Sequence, residues 1–234
     1  EVRAIRAMFY YYAMDMFGRV PLVLSTDEQR YSSQFQGQTD RSSVFHFVFQ
    51  ELQQVLPSLP DQHSNKEGNY YGRITQPVVN FLLAKLALNA EIYMYDDWTQ
   101  GYANRPKGSD IHFSVPAADA SLRNGDKVDC RKLNAWETCI YYCDKLAEEG
   151  YVLESDDSFN FSTHNETSKE NIFTIPMDKN IYTNQFHYLF RSYHYTHGGV
   201  LGWGSENGTC ATISTMKANH YGEADEDARC KMNF

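Results

Sequence analysis

TQPVVNFLLAKLALNAEIYMY, Thr75 to Tyr95, is the stretch that decides the fold. Val79, Leu82, Leu83, Leu86, Ala90 and Tyr93 recur at the spacing of one α-helical face. Thr75 stands where an N-cap belongs, and Pro77 occupies the first turn, where a missing N–H costs nothing. The centre, Leu83-Ala84-Lys85-Leu86-Ala87-Leu88-Asn89-Ala90, mixes small and large apolar residues, so a second helix can approach closely. The matching partner is Lys132 to Glu149, where Trp136, Ile140, Cys143, Leu146 and Ala147 form a stripe and Gly150 serves as the stop. The pair reads as a degenerate tetratricopeptide unit: two antiparallel helices whose turn is expanded by residues 96–131. A connection of that length in a compact domain implies either a function or disorder.

Working outward, Ile5, Met8, Phe9, Tyr12 and Met16 mark a helix over Val2 to Phe17. Ala4, Ala7, Tyr11 and Met14 cover much of its remaining circumference, so it is expected to be buried on more than one side. Gly18 and Pro21 end it. Residues 25–40 read as a polar loop. Arg41 to Leu56 forms the next helix, capped by Thr39 or Asp40, with Val44, Val48, Leu52 and Val55 as its stripe and Pro57 and Pro60 closing it. Beyond Gly150 the periodicity fades. Ile172 to Ile175 resembles a short strand ended by Pro176, and the rest reads as loop. The expected architecture is mainly α, with tetratricopeptide-like antiparallel helix pairs, long loops and a few short strands. Residues 1–150 form its helical scaffold and 151–234 a loop-rich ligand face of the same domain.

A chain of 234 residues can bury roughly 70 to 75% of its unfolded surface, enough for a real core. Its 42% hydrophobic and 22% charged residues suit a folded domain and exclude intrinsic disorder as the dominant state. Thirty acidic against 21 basic residues give a net charge of −9, and no dense Lys/Arg run is present. Nucleic acid and anionic membrane surfaces are therefore poor partners. No apolar run is long enough to cross a bilayer. Five cysteines without framework spacing do not define the fold. Cys139 and Cys143 lie four apart, but zinc would need two further ligands, and ordinary packing of small thiols is the simpler reading. No cofactor motif is found.

Several segments taken together resemble the SusD/RagB family of Bacteroidetes outer-membrane nutrient-binding lipoproteins. EVRAIRAMFYYYAMDMFGRVPL, Glu1 to Leu22, is similar to that family's Arg-Ala and repeated-Tyr helix ending in Phe-Gly-x-Val-Pro-Leu. RSSVFHFVFQELQQVLPSL, Arg41 to Leu59, matches its second helix, with His46 where the family has Asp. Tyr71 to Tyr93, Trp136 to Leu153, Asn165 to Asp178, and Gly202 to Thr212 with Asp225 to Phe234 follow in the same order. Family members are longer, so the resemblance implies a central segment whose signal, lipidated Cys and C-terminal part lie outside it. It also implies a SusD-like α-α superhelix, attachment to the outer membrane through a lipid anchor outside this segment, exposure on the cell surface, and delivery of ligand to a SusC-like TonB-dependent transporter.

Sugars present flat C–H faces and a rim of hydroxyls, so a site for them needs aromatic platforms beside amides, carboxylates or Arg. Phe186 to Cys210 supplies that mixture: Tyr188, Arg191, Tyr193, His194, Tyr195, His197, Trp203, Glu206 and Asn207 among glycines. Any single Tyr here is better explained by packing of this loop against the helices. Trp203 stands out because Gly202 and Gly204 leave its ring without local support. Trp98, beside Asp96, Asp97 and Tyr102, is a further candidate. Tyr10, Tyr11 and Tyr12 point about 100° apart on a helix and read as scaffold. The resemblance being bacterial, the sequons at Asn165 and Asn207 are read as unmodified, and Asp178 is only a remote calcium ligand. The leading expectation is non-catalytic capture of oligosaccharide or polysaccharide. Rival readings are peptide capture on the same scaffold, a two-carboxylate glycosidase for which no motif is present, and a cytoplasmic tetratricopeptide scaffold.

Overall fold

The computed structural model describes residues 1–24, 37–116, 130–177, 180, 195–200 and 211–230. Two compact units are present. Glu1–Glu154 with His164–Thr174 form the first, and Ser155–Thr163 with Ile175–Phe234 the second.

The first unit is mainly α. Helix α1 (Val2–Phe17) packs along α2 (Arg41–Val55), and α3 (Gln76–Leu88), continued by the short α4 (Ala90–Tyr93), packs along α5 (Ala135–Glu148). A two-stranded antiparallel sheet, β1 (His112–Pro116) and β2 (Cys130–Asn134), precedes α5, with Phe113 paired to Leu133. The helix-pair architecture expected from the spacing is therefore present. Val44, Val48, Leu52 and Val55 of α2 are all buried, as are Val79, Leu82, Leu83, Leu86, Ala90 and Tyr93 of the third predicted segment.

Helix α1 departs from expectation. Ala4, Ala7, Met8, Tyr11 and Met14 form its buried face, whereas Phe9, Tyr12 and Met16 are 64, 45 and 72% exposed. Ala4 and Ala7, both fully buried, let α2 approach at the N-terminal half, and Met8, Tyr11 and Met14 fill the rest of that face. One apolar face is covered and the other stays open. Arg3 and Arg6 of α1 both bond the carboxylate of Glu51 on α2, at 2.8 and 2.6 Å, which fixes the register of the pair. Those two guanidinium groups hold Glu51 down at a pKa of about 2, with Arg3 the larger contributor. Gly18 ends α1 at φ 72°, in the left-handed region that favours glycine, and donates its N–H to Met14 O.

The second pair also differs in detail. Helix α5 begins at Ala135 and not Lys132, because residues 130–134 are spent in pairing with β1. Asn134 caps it through a reciprocal capping box: its side chain accepts the Glu137 N–H at 2.9 Å, and the Glu137 carboxylate accepts the Asn134 N–H at 2.8 Å. The buried positions are Ala135, Thr138, Tyr142 and Leu146, while Trp136, Ile140, Cys143 and Ala147 are exposed. Of the predicted stripe only Leu146 lies on the buried face; the other four positions face away from it. Trp136 instead covers Gly108, where a Cβ would sit only 2.3 Å from its ring. Thr75 and Asp40 hold the N-cap positions of α3 and α2 but neither side chain makes the capping bond. Asp40 pairs with Arg19 at 3.2 Å instead.

Within the stretch 96–131 the described residues form short 3-10 turns at Trp98–Gln100 and Tyr102–Asn104 and then β1. Phe113 stacks on Phe49 of α2 at 4.2 Å, and Gln53 bonds both Ser114 O and the Tyr142 hydroxyl. The insertion is thus partly built into the core. Ile172 to Ile175 belongs to no regular element and pairs with no strand among the described residues, so the predicted strand is not formed there.

In the second unit, a 3-10 turn covers Asp157–Phe161, and the described residues of the stretch read from sequence as loop include two short helices, α6 (Tyr195–Val200) and α7 (Ile213–Ala218). Thr212 caps α7 by accepting the Thr215 N–H at 3.2 Å.

Candidate functional site

Of the candidates named from sequence, the described side chains include one, Trp98. Trp203, Tyr193, Arg191, Asn207, Tyr188, His194 and Glu206 lie outside the described residues. Tyr195 and His197 fall on α6, and their side chains are likewise outside the described set.

Trp98 stands at the start of a 3-10 turn that Asp97 caps, its carboxylate taking the Thr99 N–H at 3.2 Å and the Gln100 amide at 2.7 Å. These bonds hold the Asp97 pKa below the usual carboxylate value, the Thr99 hydroxyl first. The turn places the indole edge-on to Tyr95 at 4.7 Å and nearly parallel to Tyr102 at 5.9 Å, 23° between planes. Arg41 lies over the indole at 5.1 Å and Arg105 over Tyr102 at 3.9 Å. Arg105 is itself held by Glu91 at 2.8 Å, whose second oxygen accepts the Gly108 N–H at 2.7 Å. That backbone bond, then Arg105, keeps Glu91 acidic. Two arginines and three rings therefore form a pinned cluster, with Trp98 and Tyr102 still 39 and 57% exposed.

Beside this cluster is a cleft of about 340 Å3 lined by Phe17, Arg19, Gln38, Arg41, Asp96 and Trp98, among others. Its volume lies within the range of small-ligand sites. Asp96 accepts both the N–H and the hydroxyl of Ser42, and Arg41 donates to Tyr95 O at 2.7 Å. Burial pulls the Arg41 pKa down, opposed by Asp96, Tyr93 and Asp15. Sequence reasoning missed Arg41, Tyr95 and Gln38. A signal was available for Arg41: a cation at the first position of a helix opposes the macrodipole, so another contact has to hold it there.

The tyrosine run divides by role. The Tyr10 hydroxyl exchanges two 2.8 Å bonds with the backbone of Val23, and Tyr11 is buried, as scaffold tyrosines should be. Tyr12 is instead exposed and lines a second, larger cavity.

Cys143 is exposed and Cys139 half-buried, with burial and the neighbouring Cys143 pushing the Cys139 thiol up to about 11. Among the described residues, His220, Glu223 and Asp225 form the one group of three metal-capable side chains. All three are exposed, and His220 already pairs with Asp225 at 2.7 Å.

Among solved structures, the chain is similar to a SusD-like protein from Bacteroides fragilis, with a TM-score of 0.52 and 16% identity. The fold is SusD-like. The match covers 88% of this chain and 31% of that one, so the chain spans under a third of the other protein's length. No family model matches the sequence, and no curated relative does. No described helix of this SusD-like scaffold is long and apolar enough to cross a membrane.

Proposed function

We propose that this chain is part of a non-catalytic nutrient-binding protein of the cell surface that captures oligosaccharide or polysaccharide and passes it to a SusC-like TonB-dependent transporter. The observation that carries the reading is the Trp98 cleft. An exposed indole offers a flat apolar surface for the C–H face of a sugar ring, while Arg19, Gln38 and Arg41 bring donors for hydroxyls to the same 340 Å3 space. The SusD-like fold supports the coarse assignment to binding and uptake, and lipid anchoring at the outer membrane belongs to the same proposal. On sequence grounds Trp203 is a second platform, flanked by Tyr193, Tyr195, Arg191, His197 and Asn207.

Binding to the folded state must stabilise it, by about 2.7 kcal/mol at a ligand concentration 100 times Kd. A panel of soluble glycans is therefore screened by melting temperature, with a peptide library beside it. At least one glycan should raise Tm, and Trp98→Ala should abolish that rise while shifting the ligand-free Tm by only a few degrees. A rise with peptides alone, or an undiminished glycan response in Trp98→Ala, would sink the reading.

A further inference from the structure

The second cavity, a solvent-open cleft of about 570 Å3, lies between α1 around buried Tyr11 and exposed Tyr12, the Phe81–Lys85 turn of α3, and residues 151–153 and 170–173. Its walls are mostly apolar, and they are not covered: Tyr12, Phe81 and Leu153 are 45, 38 and 84% exposed. One cation stands in this surface. Lys85 Nζ lies 5.6 Å from the Tyr11 ring centroid and 5.7 Å from that of Phe81, and it makes no ion pair with a described residue. Glu170, the acid in the wall, has its carboxylate engaged by the Glu154 N–H at 2.9 Å. Ring faces compensate an ammonium only in part, so the complement this cavity lacks is an anion carried on an apolar body.

We infer that the cavity is a binding site for an amphiphilic monocarboxylate, with the carboxylate on Lys85 Nζ and the hydrocarbon body along Tyr12, Phe81 and Leu153. The space equals that of roughly nineteen waters at about 30 Å3 each, which accommodates a medium-length acyl chain. The chain's net charge of −9 opposes anions in general, so a preference for acid over alcohol would report Lys85 locally. This site is separate from the Trp98 cleft and does not rest on the glycan reading.

The test is titration of the 234-residue protein with decanoate, decanol and decylammonium, followed by intrinsic fluorescence below the aggregation threshold of each. Decanoate should bind about tenfold more tightly than decanol, the low end of what a charge-assisted hydrogen bond contributes, and decylammonium should bind worst. Lys85→Met, which keeps the apolar stem, should erase the acid's advantage and leave decanol unchanged. Leu153→Asp, at a position exposed enough to spare folding, should weaken decanoate and decanol together. Absence of decanoate binding, equal affinity for acid and alcohol, or indifference to both substitutions would overturn the inference.

Discussion

Glu149 offers the sharpest test of the packing between α3 and α5. It follows the last residue of α5, where Asn80 of α3 donates to its Oε1 at 3.1 Å and its Oε2 is buried without a hydrogen-bond partner. Burial, reinforced by the nearby Asp61 charge, raises its pKa from 4.5 to about 7. It lines neither cavity, so the shift concerns stability. Between those two pH values the folded state holds a proton that the unfolded chain has released. The stabilisation is fully present below about pH 4.5 and lost as pH rises through about 7. The shift corresponds to about 3 kcal/mol at 1.36 kcal/mol per unit; solvent screening of a half-buried group reduces this to about 1–2 kcal/mol. Glu149→Gln keeps the Asn80 bond and cannot ionise. It should be more stable than the parent by about 1–2 kcal/mol at pH 8 and nearly equal to it at pH 5. Urea denaturation across pH 5 to 8 measures this, and titrations common to both proteins cancel in the difference. Parallel stability profiles for the two proteins would refute the argument.

Two further outcomes follow from the same framework. Glu51→Gln leaves Arg3 and Arg6 without their shared anion and should cost about 1–3 kcal/mol in denaturant melts, less than a fully buried pair because both arginines are partly exposed. Since the Glu51 pKa is lowered to about 2, its contribution is present above pH 4.5 and should fade as pH falls toward 2, a loss the Gln variant should not show. Gly108→Ala puts a methyl 2.3 Å from the Trp136 ring, so the indole must move, costing about 1–3 kcal/mol and shifting tryptophan emission. An unchanged emission spectrum would mean that Trp136 does not rest on Gly108.

Sequence alone was enough to place the long helices of the first unit, because spacing, Gly and Pro act locally, but not the six-residue α6 and α7, which are too short to show a period. The 3.6 period of Val44, Val48, Leu52 and Val55, the break at Gly18, and Pro77 in a first turn are properties of a few adjacent residues. Trp98 also stands out in the sequence, a Trp among acids and a Tyr in a long connection, and its ring is partly exposed in the fold. Only tertiary structure decided which face each helix buries. On α1 both Ala4-Ala7-Tyr11-Met14 and Phe9-Tyr12-Met16 are apolar, and periodicity gives them equal weight; packing against α2 buries the first set, with Ala4 and Ala7 fully covered, and leaves the second exposed. On α5 the same holds, with Tyr142 buried and bonded to Gln53 while Trp136 turns out to cover Gly108. Arg41 and Tyr95 join Trp98 in one cleft although 54 and 57 positions separate Arg41 from them, a pairing that exists only once α2 and the turn after α4 are packed side by side.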